Sequence, residues 1–469
     1  MLVLKLFGTA GIRKKYPDEL NPILAYKLGL AVSTIKEWNK AYIVYDTRTT
    51  NHLFTYSFAS GLMAGGVNCY IIGLAPTPVA GYAAKKYRGL GVSVTASHNP
   101  PEYNGYKFYD DEGYEFTRTL EKEIEDKINN QLKPVDWNRV GTSYWNESII
   151  DEYISDLVDY VNQPDKKWEP IIVIDLANGA AYRVSPEVMR KLGAKPLTIN
   201  ADPNGYFPIR APEPRKDVLE KYLKLYASVS PPVIFAHDGD ADRLAVLDPV
   251  KGFIRQDRII AFYAYLLLSQ RRGRVIVSID TGRVIDDIVE KMGGKMERYV
   301  LGKTHERLKQ VGASNTVLAA EPCKLIDPSW GPWVDGVLQV ALITKTVIEH
   351  GKPFSKILDE IGIPDYPWDR RSYKISPVEK RDKIYNEFIE ELKHLLGEPI
   401  NVITIDGYRF EYSDYSWILV RKSGTEPKIR LYMEAPTNER LREMIELSEK
   451  KLVEIVKKNN AIIIEKTIG

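Results

Sequence analysis

Ser97 and His98 stand side by side at the end of an alternating apolar run in VSVTASHNPPEYNGYKF, residues 92–108, and three chemistries could use them. Ser97 could attack a carbonyl with His98 as its base, carry a phosphoryl group, or merely cap the loop that follows. A second stretch, VIFAHDGDADRLAVLD, sets Asp238, Asp240 and Asp242 alternately with the small residues Gly239 and Ala241. That spacing puts three carboxylates on one side of an extended loop. They repel one another unless a hard cation sits among them, and Mg2+ is the usual solution when a phosphate supplies a further ligand. A calcium EF-hand needs Gly at the sixth place and Glu at the twelfth, where this chain has Arg243 and Pro249, so that reading fails. An aspartyl-phosphate phosphatase with Asp238 as nucleophile and a solvated acidic turn both stay open on the local pattern.

A third stretch, LVRKSGTEPKIRLYMEA, brackets a tight turn with Arg421, Ser423, Gly424, Thr425 and Arg430. Two guanidinium groups, two hydroxyls and the N–H groups of a glycine turn can cradle an anion, with arginine gripping a phosphate through two hydrogen bonds. A plain glycine hairpin with surface arginines has the same local pattern. At the N-terminus KLFGTAGIR joins a Gly-rich turn to Arg13, another candidate phosphate contact. These loops bear on Ser97. The nucleophile elbow of α/β-hydrolases reads G-x-S-x-G, whereas Ser97 lies in T-A-S-H-N, and a Ser-His-Asp triad draws its histidine from a distant part of the chain. A metal loop and two Arg-bearing loops suit instead a serine that carries a phosphoryl group, with Mg2+ bridging its oxygens to the aspartates.

Alternating strands and helices must position these loops. Three strand-like runs, AYIVYDTR near Asp46, IIVIDLANG at Asp175 and VIVSIDTGR at Asp280, are each followed by a helix-length segment, a glycine punctuation and a second β-rich run. That order is the strand–helix–strand unit of a parallel sheet, repeated three times. The last hundred residues change style. A helix with Ile384, Phe388, Leu392 and Leu395 on one face precedes NVITIDGYRFEY, whose Asp406-Gly407 signals a hairpin. A closing helix then repeats Leu441, Met444, Ile445, Leu452 and Ile455. The expected fold class is therefore α/β: three related mixed α/β domains plus a smaller C-terminal α+β domain. The expected boundaries are 1–150, 151–253, 254–368 and 369–469.

Composition narrows the partners. With 469 residues the chain exceeds what one core usually supports, and 65 basic against 63 acidic side chains give a net charge of +2. That balance gives no reason to expect nucleic acid or an anionic membrane as partner. Cys69 and Cys323 sit far apart with no paired spacing, and no apolar run has the length of a membrane span, so a reducing cytoplasm is the expected location. Oligomeric state is not legible.

The four stretches FGTAGIR, TASHNPPEYNGYKF, DGDADR and RKSGTEPKIR, in that order, resemble the α-D-phosphohexomutases, which include phosphoglucomutase, phosphomannomutase and phosphoglucosamine mutase. The resemblance implies four domains around a central cleft. It implies a phosphoserine at Ser97 and Mg2+ held by Ser97, Asp238, Asp240 and Asp242. Lys107 matches the lysine given an acid/base role, and cationic neighbours with partial burial are expected to lower its pKa. Arg13, His98 and Arg243 match groups around the transferring phosphate, and Arg421, Ser423, Gly424, Thr425 and Arg430 match the loop that holds the other phosphate. The implied activity moves a phosphoryl group between C1 and C6 of a hexose phosphate, glucose or mannose, through a hexose 1,6-bisphosphate. The sugar-recognition loop departs from the family's G-E-x-S/N-G. Here LAAEPCKLIDPSW keeps Glu321, with Cys323 and Lys324 in place of the small polar residue and glycine, and Leu325 beyond. Ala10 and Lys14 also depart from the usual pattern beside Arg13. The altered loop leaves open a different sugar, including an amino sugar, the exclusion of a bulky N-acetylated sugar, or a relative that binds sugar phosphates with weak turnover.

Overall fold

The computed structural model describes residues 5–8, 11–130, 132–165, 168–423 and 426–468. Four sheets follow one another along the chain. The first contains β1 (Ile12–Lys15), β2 (Lys40–Tyr45), β3 (Asn68–Leu74), β4 (Leu90–Val94), β5 (Tyr103–Tyr109) and β6 (Ser143–Trp145), in the order β1-β5-β4-β2-β3-β6. The second contains β7 (Ile171–Asp175), β8 (Lys195–Ile199), β9 (Ile234–His237), β10 (Leu244–Asp248) and β11 (Gly252–Phe253), ordered β11-β10-β9-β7-β8. The third contains β12 (Arg274–Ser278), β13 (Lys295–Tyr299), β14 (Thr316–Glu321) and β15 (Lys324–Ile326), ordered β13-β12-β14-β15.

The expected repeat is present in all three. β2 runs parallel to β3 across the helix Asn51–Ala64, β7 to β8 across Val184–Lys191, and β12 to β13 across Val284–Lys291. Strands covered on both faces read as continuous apolar runs, and β4, β9 and β10 are buried at every position. One apolar cluster passes from Tyr42 and Val79 through Ile172, Val246 and Phe262 to Ile343 and Ile363, so these three sheets share a core. Asp335 starts the helix Gly336–His350 inside that core by accepting the Leu338 N–H at 2.9 Å; its carboxylate also accepts from Tyr153, Trp330 and Trp333.

The fourth sheet is antiparallel in every pairing. It holds β16 (Trp368–Ser376), β17 (Asn401–Ile403), β18 (Tyr408–Glu411), β19 (Trp417–Lys422), β20 (Lys428–Glu434) and β21 (Ile462–Ile468), ordered β17-β18-β19-β20-β16-β21. The Asp406-Gly407 turn joins β17 to β18 as expected, with Gly407 at φ +93°. Ile384, Phe388 and Leu392 of the helix Arg381–Leu395 pack with Leu441, Met444, Leu452 and Ile455 of the helix Asn438–Lys458 in a separate core. Arg409 ties this unit to the third sheet. It donates to the carbonyls of Ile279 (2.9 Å) and Thr281 (2.8 Å) while stacked 3.7 Å over the ring of Trp417. The loops of interest leave the C-terminal ends of β4, β9, β14 and β19, the edge where open α/β sheets collect ligands.

Candidate active site

β4 delivers Ser97 into a left-handed backbone conformation at φ +52°, which costs a non-glycine residue about 1 kcal/mol. The surroundings hold it there. Ser97 N–H donates to Thr95 Oγ1 at 2.7 Å, and Thr95 Oγ1 donates to Asp46 Oδ2 at 2.7 Å. Arg48, wholly buried, pairs with Asp46 and donates to the carbonyls of Ser97, Asn99, Pro100 and Tyr103. Sequence reasoning passed over Arg48; the only trace was its place two residues after Asp46 in AYIVYDTR. Ser97 Oγ is free of the backbone. It donates to Asp238 Oδ2 at 2.8 Å and lies 3.3 Å from His98 Nδ1.

Asp238, Asp240 and Asp242 occupy the turn between β9 and β10, whose register closes at His237 opposite Leu244. Gly239 is needed there because a Cβ would sit 2.7 Å from the carbonyl oxygen of Ser97, so the acidic turn and the serine loop touch backbone to backbone. The three buried carboxylates each offer an oxygen within 4.8 Å of the others. Burial, followed by repulsion from Asp240 and Asp242, pushes the Asp238 carboxyl well above the ordinary carboxylate range. Asp242 goes the other way: burial opposes its charge, but Lys107 and Arg243 outweigh it. Asp240 Oδ1 and Asp242 Oδ1 are buried without a hydrogen-bond partner. Unpaired carboxylate oxygens of this kind, in an all-oxygen set beside a serine hydroxyl, fit a hard divalent cation such as Mg2+.

Lys107 comes from β5, opposite Ser93 of β4, and its ammonium donates to Asp240 Oδ2 at 2.7 Å and Asp242 Oδ2 at 2.5 Å. The expected lowering of its pKa is corrected by this geometry. Burial does push the ammonium down, but Asp240 and Asp242 together outweigh burial and Arg13, and the shift is upward. Arg13 on β1 brings its guanidinium 3.5 Å from His98 Nδ1, and Arg243 leaves the acidic turn with its Nε 4.0 Å from Asp238 Oδ2. The Nε atoms of both arginines are buried without an acceptor. Burial and then these two cations keep His98 neutral far below its usual range. Two buried donors without acceptors beside Ser97 make a place for an anion.

The other two loops follow β14 and β19. β14 and β15 form a hairpin closed at Glu321 opposite Lys324, with Pro322 and Cys323 as its two turn residues and Cys323 at φ +68°. The left-handed position therefore falls on Cys323, whose thiol burial pushes up to about 12. The turn is pinned to the acidic loop's exit, since the Cys323 carbonyl accepts the Leu244 N–H at 3.0 Å. Glu321 is buried and accepts from Gly302 N–H at 2.8 Å and Thr304 Oγ1 at 3.0 Å, which brings the Gly302-Lys303 loop to it. In the fourth sheet Arg421 stands directly opposite Arg430, and Asp406 Oδ2 lies 2.5 Å from Arg421. Ser423 is buried at the end of β19, while Gly424, Thr425 and Ala10 lie outside the described residues.

Three profile models of one family match in order: the "Phosphoglucomutase/phosphomannomutase, alpha/beta/alpha domain I" at residues 4–134, domain II at 151–251, and the C-terminal domain at 376–449. The chain belongs to the phosphoglucomutase/phosphomannomutase family. A "Phosphopentomutase" of Thermococcus kodakarensis is 37% identical over 97% of this chain and 99% of its own length. A "Probable phosphoglucosamine mutase" of Pyrococcus abyssi is 36% identical, again over 97% and 99%. The fold agrees with a solved phosphoglucomutase/phosphomannomutase family protein of Burkholderia thailandensis, with TM-score 0.85 and 23% identity over 99% of this chain and 100% of that one. It also agrees with the phosphoglucomutase parafusin of Paramecium, with TM-score 0.81 and 18% identity over 100% and 98%.

The relatives of this phosphoglucomutase/phosphomannomutase family member are thus mutases named for different sugars, a pentose and an amino sugar among them. No helix among the described residues is long and apolar enough to cross a membrane.

Proposed function

We propose that this chain is a phosphohexomutase that moves a phosphoryl group between C1 and C6 of glucose or mannose phosphate through phospho-Ser97 and a hexose 1,6-bisphosphate. The observation that carries the reading is the hydroxyl of Ser97 seated 2.8 Å from Asp238, inside the acidic cluster and flanked by Arg13, Arg243 and Lys107. Ser97, Asp238, Asp240 and Asp242 would hold Mg2+, which supplies charge neutralisation at the transferring phosphoryl oxygens. In this reading the P–O bond to Ser97 breaks as the free sugar hydroxyl forms its own bond to phosphorus, and the proton that the sugar hydroxyl loses is regained, in net, by the departing Ser97 Oγ, which becomes a hydroxyl again. The bisphosphate then turns and returns its other phosphoryl group to Ser97. Arg13 and Arg243 steady the charge on the group in flight, a task that asks for positioning more than covalent chemistry. Neutral His98 lies against both Ser97 Oγ and Arg13 and orients them. Lys107 is cationic beside Asp240 and Asp242, ready to give a proton to a departing sugar oxygen. To accept one from an attacking hydroxyl it must first be the neutral amine, a form that its two carboxylate partners disfavour.

The sugar lies between Glu321 and the fourth unit, where Arg421, Ser423, Gly424, Thr425 and Arg430 take the phosphate that is not transferred. The phosphoserine loop, metal loop, sugar loop and phosphate loop fall to residues 1–150, 151–253, 254–368 and 369–469 respectively. A pentose phosphate, with transfer between C1 and C5, is the second reading, favoured by the phosphopentomutase at 37% identity.

The test is isomerisation of glucose, mannose, glucosamine and ribose 1-phosphates, each with Mg2+ and a trace of the matching bisphosphate. Glucose 6-phosphate or mannose 6-phosphate as the fastest product supports the first reading, and ribose 5-phosphate supports the second. No isomerised product from any of them overturns both. Ser97→Ala should take up no labelled phosphate from the bisphosphate; phosphate release that survives in this variant would make the acidic cluster a phosphatase instead.

A further inference from the structure

Lys324 opens β15 directly after the Pro322-Cys323 turn, and its ammonium lies 3.6 Å from Glu321 Oε2. That separation is an ion pair without a hydrogen bond, so the ammonium protons stay available to a ligand. The Lys324 side chain is only 18% exposed. Glu321 is already engaged, because its other oxygen accepts from Gly302 and Thr304. Burial pushes the Glu321 carboxyl up, but Lys324, His305 and Thr304 outweigh it and keep it ionised. After Lys107 and Arg243, Lys324 is the next cation that helps hold Asp242 ionised, so its charge is felt at the acidic cluster. The backbone fixes this placement: Cys323 N–H donates to Gln256 Oε1 at 3.0 Å, and Glu321 and Lys324 close the hairpin ladder on either side of the turn.

We propose that Lys324 sets the substrate class of this site, admitting phosphates of neutral sugars and rejecting sugar phosphates that carry a free ammonium. The proposal rests on the sugar-phosphate mutase reading and deepens it. An amino sugar needs an acceptor or an anion facing its ammonium. The carboxylate at the sugar loop is Glu321, and one of its oxygens is taken by Gly302 and Thr304 while the other faces Lys324. A sugar hydroxyl arriving there can accept a hydrogen bond from the Lys324 ammonium. A sugar ammonium meets a like charge in a partly buried site instead, a juxtaposition that weakens binding by roughly tenfold or more. Relatives at 35–36% identity carry the name "Probable phosphoglucosamine mutase", so the discrimination would set this chain apart from them.

Calorimetric binding of glucose 6-phosphate, glucosamine 6-phosphate and N-acetylglucosamine 6-phosphate, in Mg2+ and slightly below neutral pH, tests the proposal in the wild-type protein, Lys324→Gln and Lys324→Arg. Wild type should bind glucosamine 6-phosphate at least about tenfold more weakly than glucose 6-phosphate. Lys324→Gln should close that gap and Lys324→Arg should keep it. No gap in wild type, or the same gap in Lys324→Gln, overturns the proposal. An equal gain for N-acetylglucosamine 6-phosphate in Lys324→Gln also overturns it, because bulk rather than charge would then be read. Turnover in the same preparations keeps the two readings apart: absence of any mutase product counts against the mutase, while the binding ratio judges Lys324 by itself.

Discussion

Arg48 holds the carbonyl oxygen of Ser97 at 3.0 Å while its Nε reaches Asp46 Oδ2 at 3.1 Å. Its other N–H groups reach the carbonyls of Asn99, Pro100 and Tyr103, so all five guanidinium donors serve one loop and its anchor. Arg48→Ala leaves Asp46 buried without its partner and should destabilise the protein by about 3–5 kcal/mol in urea unfolding. Arg48→Lys keeps the charge, but one ammonium cannot reach five acceptors. This variant should fold and yet phosphorylate Ser97 from the bisphosphate roughly tenfold or more slowly in a single-turnover measurement. A wild-type labelling rate in Arg48→Lys would mean that the clamp does not position the serine.

The contrast between Arg48 and the four loops shows where sequence reading ends. T-A-S-H-N, D-G-D-A-D and R-K-S-G-T place chemically informative side chains within a few residues of one another, so their chemistry is legible locally. The three strand–helix–strand units are legible because an apolar run and a glycine mark each one. Arg48 acts on backbone carbonyls 49 to 55 residues away, and a carbonyl has no sequence signature. The upward shift of Lys107 is not legible for a related reason: its carboxylate partners stand 133 and 135 residues on, in the turn of a different sheet, and only the packed fold sets them against its ammonium. The left-handed turn at Cys323 was hidden because the residue usually found in that conformation is glycine.

Asp238, buried beside two other carboxylates, makes the cation-free site costlier as pH rises. A carboxyl whose folded pKa is raised, as that of Asp238 is, contributes stability below its unfolded value and loses it as pH climbs through the folded value. Mg2+ binds the ionised form, so it should raise Tm more at about pH 8 than at about pH 5. Asp240→Asn removes one like charge and one ligand. Without Mg2+ it should unfold somewhat earlier than wild type, because the buried Lys107 ammonium keeps only one of its two carboxylates, gain little Tm from Mg2+, and lose about a hundredfold or more in turnover. Thermal unfolding with Mg2+ or with EDTA at the two pH values decides; equal Mg2+ gains at both, or an unchanged rate in Asp240→Asn, would contradict the metal assignment.

Glu121 offers a titration remote from the chemistry. Burial pushes its carboxyl up to about 7; Arg118 opposes the shift, and Glu115 and Glu306 add to it. Its unfolded value is about 4.3, so the stability linked to its protonated form is full below that value and is lost as pH rises through the folded one. Glu121→Gln imitates the protonated side chain. It should match wild-type stability at about pH 4 and exceed it by about 1–3 kcal/mol at about pH 8. Urea unfolding at the two pH values measures the difference, and a gain of equal size at both would assign the effect to packing.

Arg421 and Arg430 occupy directly opposed positions in the β19–β20 ladder, where like charges weaken a sheet by about 0.2–1 kcal/mol. Asp406 relieves only Arg421, whose Nε remains buried without an acceptor. An anion shared by both arginines would remove the repulsion and satisfy that donor, and in the proposed reaction that anion is the phosphate that is not transferred. Its charge is the same in the ground state and the transition state, so Arg430 should contribute uniform binding rather than rate. Arg430→Gln should therefore raise KM for the sugar phosphate about ten- to a hundredfold and lower kcat much less. Inorganic phosphate should raise the Tm of the wild-type protein and raise that of Arg430→Gln by a smaller amount. A loss confined to kcat, with KM unchanged, would move Arg430 from the resting phosphate to the reacting one.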